Sequence, residues 1–225
     1  MPKTLSYCDT TIELLHATPY PAEVVGLALS ITVSADDAAD IKPVTQKKAK
    51  FLIDAEHTSL FEHVVYTFLI QNMSRSLLAQ ITRQRTASPT SGSQHYQDYS
   101  GYPCVVHPDL QNNLDVEYAL SVSTSIYAKL IGSGTPREEA RQVLPNASGV
   151  NYLWTIDARN LMFFLRQRCC NRNVAEMRWF ADRVRATVMP HFPELWQNVG
   201  PQCFMDKCKQ GFMQCREKTW RPSDE

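Results

Sequence analysis

The sequence predicts an α+β fold in which a small central sheet is surrounded by helices. Apolar residues recur at helical spacing in several segments, among them 114–131, 157–171 and 174–189, whereas strand patterns are few. Strands and helices do not alternate as they do in βαβ units, so a doubly wound parallel sheet is not expected. A chain of 225 residues is long enough to bury a sizeable core. We therefore expect one domain over residues 1–225.

The first elements are predicted from short apolar runs. Residues 9–32 contain two prolines and can hold a strand followed by a helix. Residues 36–55 place three lysines among apolar positions, which is typical of an amphipathic helix. Residues 64–70 are apolar at nearly every position, so a strand there would be buried on both faces.

Capping signals mark the next helix and the loop that follows it. Ser74 precedes Leu77, Leu78 and Ile81, which fall at helical spacing, so a helix is predicted to begin at this serine. Residues 83–103 are rich in Ser, Thr, Gly and Gln and have few aliphatic residues. They predict a long polar loop, and loops of that length in a compact domain are often functional.

The second half of the chain is predicted to be helical. In the helix over 114–131, the inward positions are expected to be Val116, Leu120, Ile126 and Leu130. Thr135 to Glu138 reads as a capping box with proline at the first helical position, and that helix should end before Pro145. Helices over 157–171 and 174–189 follow, the second closed by prolines.

The composition excludes several classes of protein. Hydrophobic residues make up 44% and charged residues 20%, as in ordinary globular chains. The 23 basic and 23 acidic residues give no net charge, which argues against a chain that coats nucleic acid. No apolar run is long enough to span a bilayer, and the first residues lack the apolar stretch of a signal peptide. We expect a cytoplasmic protein with no membrane partner.

The seven cysteines do not form a recognisable framework. Cys169 and Cys170 lie inside a helical pattern and are predicted to be reduced thiols. In the C-terminal tail, about residues 199–225, Cys203, Cys208 and Cys215 stand at spacings of five and seven, unlike the close pairs of structural zinc sites. No metal is expected. Cys104, three residues before His107, is a weak nucleophile candidate without a third orienting group.

The residues alone suggest that four arginines are candidates for binding a ligand. Arg83 and Arg85 precede a Ser/Gly loop. Arginine side chains together with free backbone amides can bind the oxygens of a phosphate, so this segment is a candidate phosphate site. The alternative interpretation is a solvated helix end followed by a flexible loop. Arg141 is expected near the core because Val143 and Leu144 follow it. Arg168 falls on the apolar stripe of its helix, so it must be paired with a carboxylate or bound to a ligand. Neither a P-loop nor a Rossmann fingerprint is present.

Several motifs, in order, resemble the flavin-dependent thymidylate synthases. The signature R-H-R followed seven residues later by Ser is matched by R-Q-R at residues 83–85 and Ser93. The other matches are H-x-S-x-F-E-H at 57–63, A-R-x-V-L-P at 140–145, W-T-I-D-A-R at 154–159, F-L-R-Q-R at 164–168 and the cysteine-containing tail. The resemblance covers residues 5–215.

The resemblance implies a homotetramer with active sites shared between subunits. It implies binding of FAD, a pyrimidine nucleoside monophosphate, methylenetetrahydrofolate and NADPH, and conversion of dUMP to dTMP by C5 methylation. Reduced flavin relays the one-carbon unit and supplies the hydride, so no cysteine attacks the pyrimidine.

The resemblance also assigns residues. Arg168 is the catalytic residue, which polarises the pyrimidine near N3. The nucleotide contacts it implies are Gln80, Arg83, Ser91, Gly92, Ser93, Gln94, His95, Arg141 and Arg168, with Arg141 on the phosphate. The flavin contacts are Ser59, Glu62, Arg83, Gln84, Arg85, Thr86, Ser91, Asp157, Arg159 and Phe163. His57 matches a histidine near the folate.

Five positions depart from the family pattern. They are Gln84 for the central His of the signature, Ser91 for Glu or Gln, His95 for Arg, Asp157 for Asn, and Phe163 for Asn or His. These changes leave three activities open: dUMP methylation, methylation or hydroxymethylation of dCMP or another pyrimidine nucleotide, and an inactive paralogue that only binds nucleotide or flavin. Retention of charged residues in apolar settings argues against the inactive paralogue.

Overall fold

The structure, a computed structural model, describes residues 2–33, 42–215 and 220 and has the predicted α+β architecture. The strands are β1 Thr4–Ser6, β2 Thr11–Ala17, β3 Val65–Ser74, β4 Ser88–Ser91, β5 Cys104–Val106 and β6 Gly149–Asp157. The helices are α1 Pro21–Val33, α2 Gln46–Asp54, α3 Arg75–Ile81, α4 Leu114–Gly132, α5 Arg137–Ala140, α6 Ala158–Arg168, α7 Ala175–Val188, α8 Pro193–Trp196 and α9 Gln202–Met205.

The residues cluster into two compact units, each built from separate stretches of chain. The first unit contains Met1–Ile12, Leu69–Arg85 and Pro89–Trp154, and the second contains Glu13–Phe68, Thr86–Ser88 and Thr155–Glu225. A four-stranded sheet has the order β2-β3-β6-β4, and each of its strands has residues in both units. In the first unit, β1 pairs in parallel with β5, with Thr4 opposite Cys104.

The two long strands of the sheet show the alternation that buries one face. In β3, Tyr66, Phe68 and Ile70 are fully buried, and the residues between them are half-buried. The predicted buried strand is therefore confirmed, and one of its two faces is more deeply buried than the other. Strand β6 is an addition to the predicted elements. Its residues 150, 152, 154 and 156 are buried at every second position, a period-2 signal present in the sequence.

Polar contacts fix the core of the second unit. The indole Nε1 of Trp196 donates to the Tyr66 hydroxyl at 3.0 Å, and burial raises the pKa of Tyr66. Arg185 of α7, only 7% exposed, donates to the backbone carbonyls of Val199 at 2.6 Å and Trp196 at 3.1 Å. These bonds satisfy a buried charge with backbone acceptors and hold the chain beyond α8 against α7.

Helix starts follow the local capping chemistry. Ser74 Oγ accepts from Leu77 N at 2.9 Å, which confirms the predicted start of α3. Thr45 Oγ1 accepts from Lys48 N at 3.3 Å, so α2 begins at Gln46; residues 36–41 of the predicted helix lie outside the described residues. The capping box predicted at Thr135 is wrong, because Pro136 is the N-cap residue of α5 and makes no side-chain cap bond.

The inward face of α4 differs from the prediction at one position. Leu120 is buried as expected, but Ile126 is 42% exposed. Thr124 and Tyr127 are the other buried residues of this helix. Tyr127 lies seven residues after Leu120, which is close to two full helical turns, so the two side chains share the buried face. Ile126 precedes Tyr127 by one residue, and its side chain therefore points away from that face.

The last two predicted helices are confirmed with shorter bounds, and the predicted polar loop contains an added strand. The helices predicted over 157–171 and 174–189 are α6 and α7, and the polar loop over 83–103 contains the short strand β4. In the described part of the chain, no helix is long and apolar enough to cross a membrane.

Candidate functional site

The loop that the resemblance assigns to the nucleotide lies in the first unit, between β4 and Tyr99. Gly92 N donates to the backbone carbonyl of Asn151 at 3.0 Å. Ser93 Oγ accepts from His95 N at 3.2 Å, and Ser93 O accepts from Gln97 N at 2.9 Å. The loop over residues 91–95 therefore has a defined turn at Ser93, whose hydroxyl hydrogen can still point to a ligand.

Tyr99 supports this loop from beneath. It is 1% exposed, and its hydroxyl donates to Gly92 O at 3.4 Å. Its backbone N–H donates to the Tyr127 hydroxyl at 3.2 Å, and its ring stacks on that of Tyr102 at 4.2 Å. Tyr99, Tyr127 and Ala140 form one apolar cluster. The loop and the short helix before Arg141 thus rest on a common small core.

Arg141 is exposed, so the expectation that it lies near the core is wrong. Its neighbour Ala140 is the buried residue of α5, and a 3₁₀ turn over Arg141–Val143 directs the arginine outward. Arg141 Nε donates to Glu138 O at 3.1 Å, and His95 Nε2 lies 3.9 Å from Glu138 Oε2. Glu138, which sequence reasoning missed as a site residue, therefore neighbours both His95, through its side chain, and Arg141, through its backbone.

The other residues assigned to the nucleotide in this unit lie on α3 and just beyond it. Gln80 is half-buried on α3, and Arg83 and Arg85 are exposed in the turn that follows. Gln94 is buried. The backbone N–H of Gln84 donates to Ile81 O at 2.8 Å, which closes the end of the helix. The roles of these residues and of Thr86 remain predictions.

Arg168 is the last residue of α6, in the second unit. Leu161, Phe164 and Leu165 on the same helix are buried, and Arg168 is half-buried at the end of their stripe, as expected. Asn173 Nδ2 donates to the carbonyl of Gln167 at 2.7 Å and to that of Arg168 at 3.3 Å. The carbonyl end of a helix favours a cation, so the fold supports a charged side chain here.

Residues assigned to the flavin meet around Arg159, also in the second unit. Arg159 Nε donates to Thr58 Oγ1 at 3.1 Å, and Arg159 Nη1 forms an ion pair with Glu62. The guanidinium carbon of Arg159 lies 5.7 Å from the centre of the Phe163 ring. The structure thus brings together Glu62, Arg159 and Phe163. Thr58, which orients Arg159, was missed, although it lies between His57 and Ser59 of the quoted motif.

A cavity of about 570 Å³ opens beside this cluster. Ser59 and Glu62 line it, together with apolar residues of α1 such as Val24, Leu27 and Ile31. An apolar wall with a few polar groups at its rim suits a planar ring system. His57 is exposed immediately before the 3₁₀ segment Thr58–His63.

Asp157 has a local structural role. Its side chain accepts from Asn160 N at 2.9 Å and from Asn160 Nδ2 at 2.6 Å, and so caps α6. The carboxylate thereby fixes the start of the helix that carries Arg159, Phe163 and Arg168. Direct contact of Asp157 with the flavin remains a prediction.

The cysteines give no support for a thiolate nucleophile or a metal centre. Cys104 on β5 is 1% exposed, and burial raises its pKa to about 11, so it is a neutral thiol near pH 7. Within residues 2–33, 42–215 and 220, no three His, Cys, Asp or Glu side chains are arranged to hold a metal ion.

Comparison with known proteins identifies the family. The sequence model of the family described as "Thymidylate synthase complementing protein" matches residues 13–194. The flavin-dependent thymidylate synthase of Clostridium tetani is 30% identical over 91% of this chain and 92% of its own. That of Geobacter sulfurreducens is 32% identical over 91% of this chain and 93% of its own.

The fold agrees with this match. The crystal structure of the UMP/dUMP methylase PolB from Streptomyces cacaoi, bound with 5-Br dUMP, has a TM-score of 0.77 at 24% identity and covers 87% of this chain and 95% of its own. At that identity the likeness concerns the fold. Since the family model spans residues 13–194 and two relatives match more than nine-tenths of the chain, this chain belongs to the flavin-dependent thymidylate synthase family.

Proposed function

We infer that this chain is an FAD-dependent methyltransferase that converts dUMP to dTMP, with methylenetetrahydrofolate as the carbon donor and NADPH as the reductant. One observation carries the proposal: the family match over residues 13–194 includes every position that the resemblance assigns to nucleotide, flavin and folate. The relatives that match most of the chain are flavin-dependent thymidylate synthases.

In this proposal the first unit supplies the phosphate contacts. Arg141 contributes a permanent positive charge, and the turn at Ser93 contributes a hydroxyl and backbone dipoles. His95 stands beside Arg141 through their common neighbour Glu138. Because imidazole is charged only when protonated, the second positive charge of this group depends on pH, unlike that of the arginine usual in the family.

Arg168 is proposed to act on the pyrimidine ring. Donation of its N–H groups to the edge of the base that contains N3 would stabilise negative charge on the ring and so make C5 nucleophilic. The half-buried end of α6 limits water around the guanidinium, which strengthens this electrostatic effect. The neutral, buried thiol of Cys104 is consistent with a route that forms no bond between enzyme and pyrimidine.

The residues of the second unit fit a flavin. Arg159 donates to Thr58 and to Glu62, and its remaining N–H groups can meet phosphate oxygens. The apolar cavity beside Ser59 and Glu62 can accept a planar ring. Bound FAD would supply the hydride and relay the one-carbon unit, and His57 is proposed to lie near the folate.

Release of tritium from 5-³H-dUMP tests the proposal, because C5 methylation must remove the hydrogen at that carbon. Arg168→Ala should lower turnover by about 10²–10³-fold, the usual effect of removing a charge-stabilising donor. Arg183→Ala is the matched control, because Arg183 is an exposed arginine on the next helix, α7. Near-normal turnover of Arg168→Ala would refute the assignment. Release of tritium from 5-³H-dCMP but not from 5-³H-dUMP would show that the substrate is dCMP and not dUMP.

The homotetramer with shared active sites, the cytoplasmic location and the lack of a nucleic-acid partner stay parts of the proposal. Light scattering of the FAD-loaded protein tests the first, since a mass other than four chains of 25.6 kDa would contradict it.

A further inference from the structure

A second cavity in the second unit is not explained by the contacts proposed for dUMP or for the flavin ring. It has a volume of about 580 Å³ and lies between the turn that joins α6 to α7 and the C-terminal segment over residues 202–215. Arg166, Arg172 and Lys209 line it, and no Asp or Glu is among its described lining residues. An excess of positive charge without a carboxylate partner favours an anionic ligand.

Hydrogen bonds to the C-terminal segment hold the two arginines in place. Arg166 Nε donates to the side chain of Gln202, and Arg172 Nη1 donates to Met213 O at 2.9 Å. Each guanidinium carries five N–H donors, so most remain available to phosphate oxygens. The cations are therefore ordered before a ligand arrives, which lowers the entropy cost of binding.

The rest of the lining suits a purine nucleotide. Phe163 and Trp220 offer aromatic surface, and side-chain amides such as those of Asn171 and Gln210 can bond base or ribose. Cys170, Cys203, Cys208 and Cys215 also line the cavity. Burial raises the pKa of Cys203, so this thiol stays neutral near pH 7 and does not oppose an anion.

We propose that this cavity binds the phosphate-bearing adenosine half of NADPH. The proposal rests on the proposed function, which requires a reductant for the flavin. Phosphorylated adenosine is common to NADPH and FAD, but NADPH carries an additional 2′-phosphate, and a phosphate monoester adds close to two negative charges. Three cations match that larger charge. Phe163 lines this cavity and also contacts Arg159, so the cavity adjoins the residues proposed to hold FAD.

Binding of adenosine 2′,5′-bisphosphate to the FAD-loaded protein, measured by isothermal titration calorimetry, tests the proposal. The double variant Arg172→Gln/Lys209→Gln should bind it roughly 10- to 100-fold more weakly than the unmodified protein, because two charge-assisted contacts are lost. Lys50→Gln, which removes an exposed lysine on α2, is the control and should leave the affinity unchanged. Anaerobic flavin reduction should show a smaller preference for NADPH over NADH in the double variant.

Three results would overturn the proposal. The FAD-loaded protein could fail to bind adenosine 2′,5′-bisphosphate, or the double variant could bind it as tightly as the control. The double variant could instead lose FAD, seen as a lower ratio of flavin to protein absorbance, which would assign the cavity to the adenosine of the cofactor. Because binding of the bisphosphate needs no turnover, its failure is distinguishable from failure of the tritium-release assay.

Discussion

Substitution of Gly92 by alanine should weaken dUMP binding, because the loop leaves no room for a side chain at this position. A Cβ on Gly92 would lie 2.8 Å from Gln97 Oε1, 3.1 Å from the Tyr99 hydroxyl and 3.3 Å from Val150 Cγ2. Gln97 is exposed and can swing away, which strains or breaks the bond that its Oε1 accepts from the Tyr102 hydroxyl at 3.1 Å. Tyr99 is buried and stacked, so it cannot retreat.

The expected cost is that of overpacking, about 1–3 kcal/mol. The free protein can relieve this strain by shifting the loop over residues 91–95, whereas bound dUMP requires Ser93 and its neighbours in their original place. The penalty therefore falls mainly on binding, and a dUMP affinity roughly 5- to 150-fold weaker is expected. Titration of the FAD-loaded protein with dUMP, followed by calorimetry, measures it.

Gly101→Ala is the matched control, since a Cβ on Gly101 meets no atom within 4 Å. Its affinity for dUMP and its melting temperature should equal those of the unmodified protein. Removing one clash, in the double variant Gly92→Ala/Gln97→Ala, should restore part of the affinity. Equal affinities of Gly92→Ala and Gly101→Ala would refute the argument that this loop is fixed from beneath by Tyr99 and Gln97.

Three further predictions concern a thiol, a carboxyl group and an imidazole. Cys104→Ala should keep turnover within a few-fold in the tritium-release assay, because the buried neutral thiol forms no bond to substrate; a folded but inactive variant would contradict this. Burial raises the pKa of Asp182 above its ordinary 3.8, so the stability linked to this group is full below that value and is lost as pH rises through the raised, folded-state pKa. Asp182→Asn should therefore flatten the fall of melting temperature with rising pH, and an unaltered pH profile would count against the argument. His95→Arg should make dUMP affinity less dependent on pH between roughly pH 6 and 9, because guanidinium stays charged; parallel profiles would show that His95 does not meet the phosphate.

The sequence predicted those helices and strands that depend on contacts between residues close together in the chain. Ser74 begins α3 because its hydroxyl satisfies a free N–H of the first turn, a contact contained within four residues. Ile126 was assigned to the wrong side because its position depends on the phase of the whole helix, which is set by Tyr127 packing against Tyr99 and Ala140. That packing joins residues far apart in the chain and has no signal in the local sequence.

In the candidate site, the sequence motifs predicted the residues proposed to bind ligands but not the residues that hold them in place. The motifs contain Arg159, Glu62 and Phe163, and the structure brings these together. No motif assigns Tyr99, Thr58 or Glu138 to the site, yet they contact the loop at Gly92, Arg159 and Arg141 respectively. Such residues act through geometry, since a hydroxyl or carbonyl at the right distance suffices and many residue types can supply it.

The exposure of Arg141 bears directly on how this protein can differ from its relatives. An exposed arginine binds phosphate through charge that salt screens, so a second cation nearby would strengthen the binding. In this chain that neighbour is His95, and the carboxylate 3.9 Å from its ring belongs to Glu138, whose backbone carbonyl also holds Arg141. In the proposed complex, a bound phosphate and the Glu138 carboxylate would therefore compete for the same imidazole. In the proposed function, the departure from arginine at position 95 therefore alters the phosphate contact alone, while Arg168, on a different helix, would keep its proposed effect on the base.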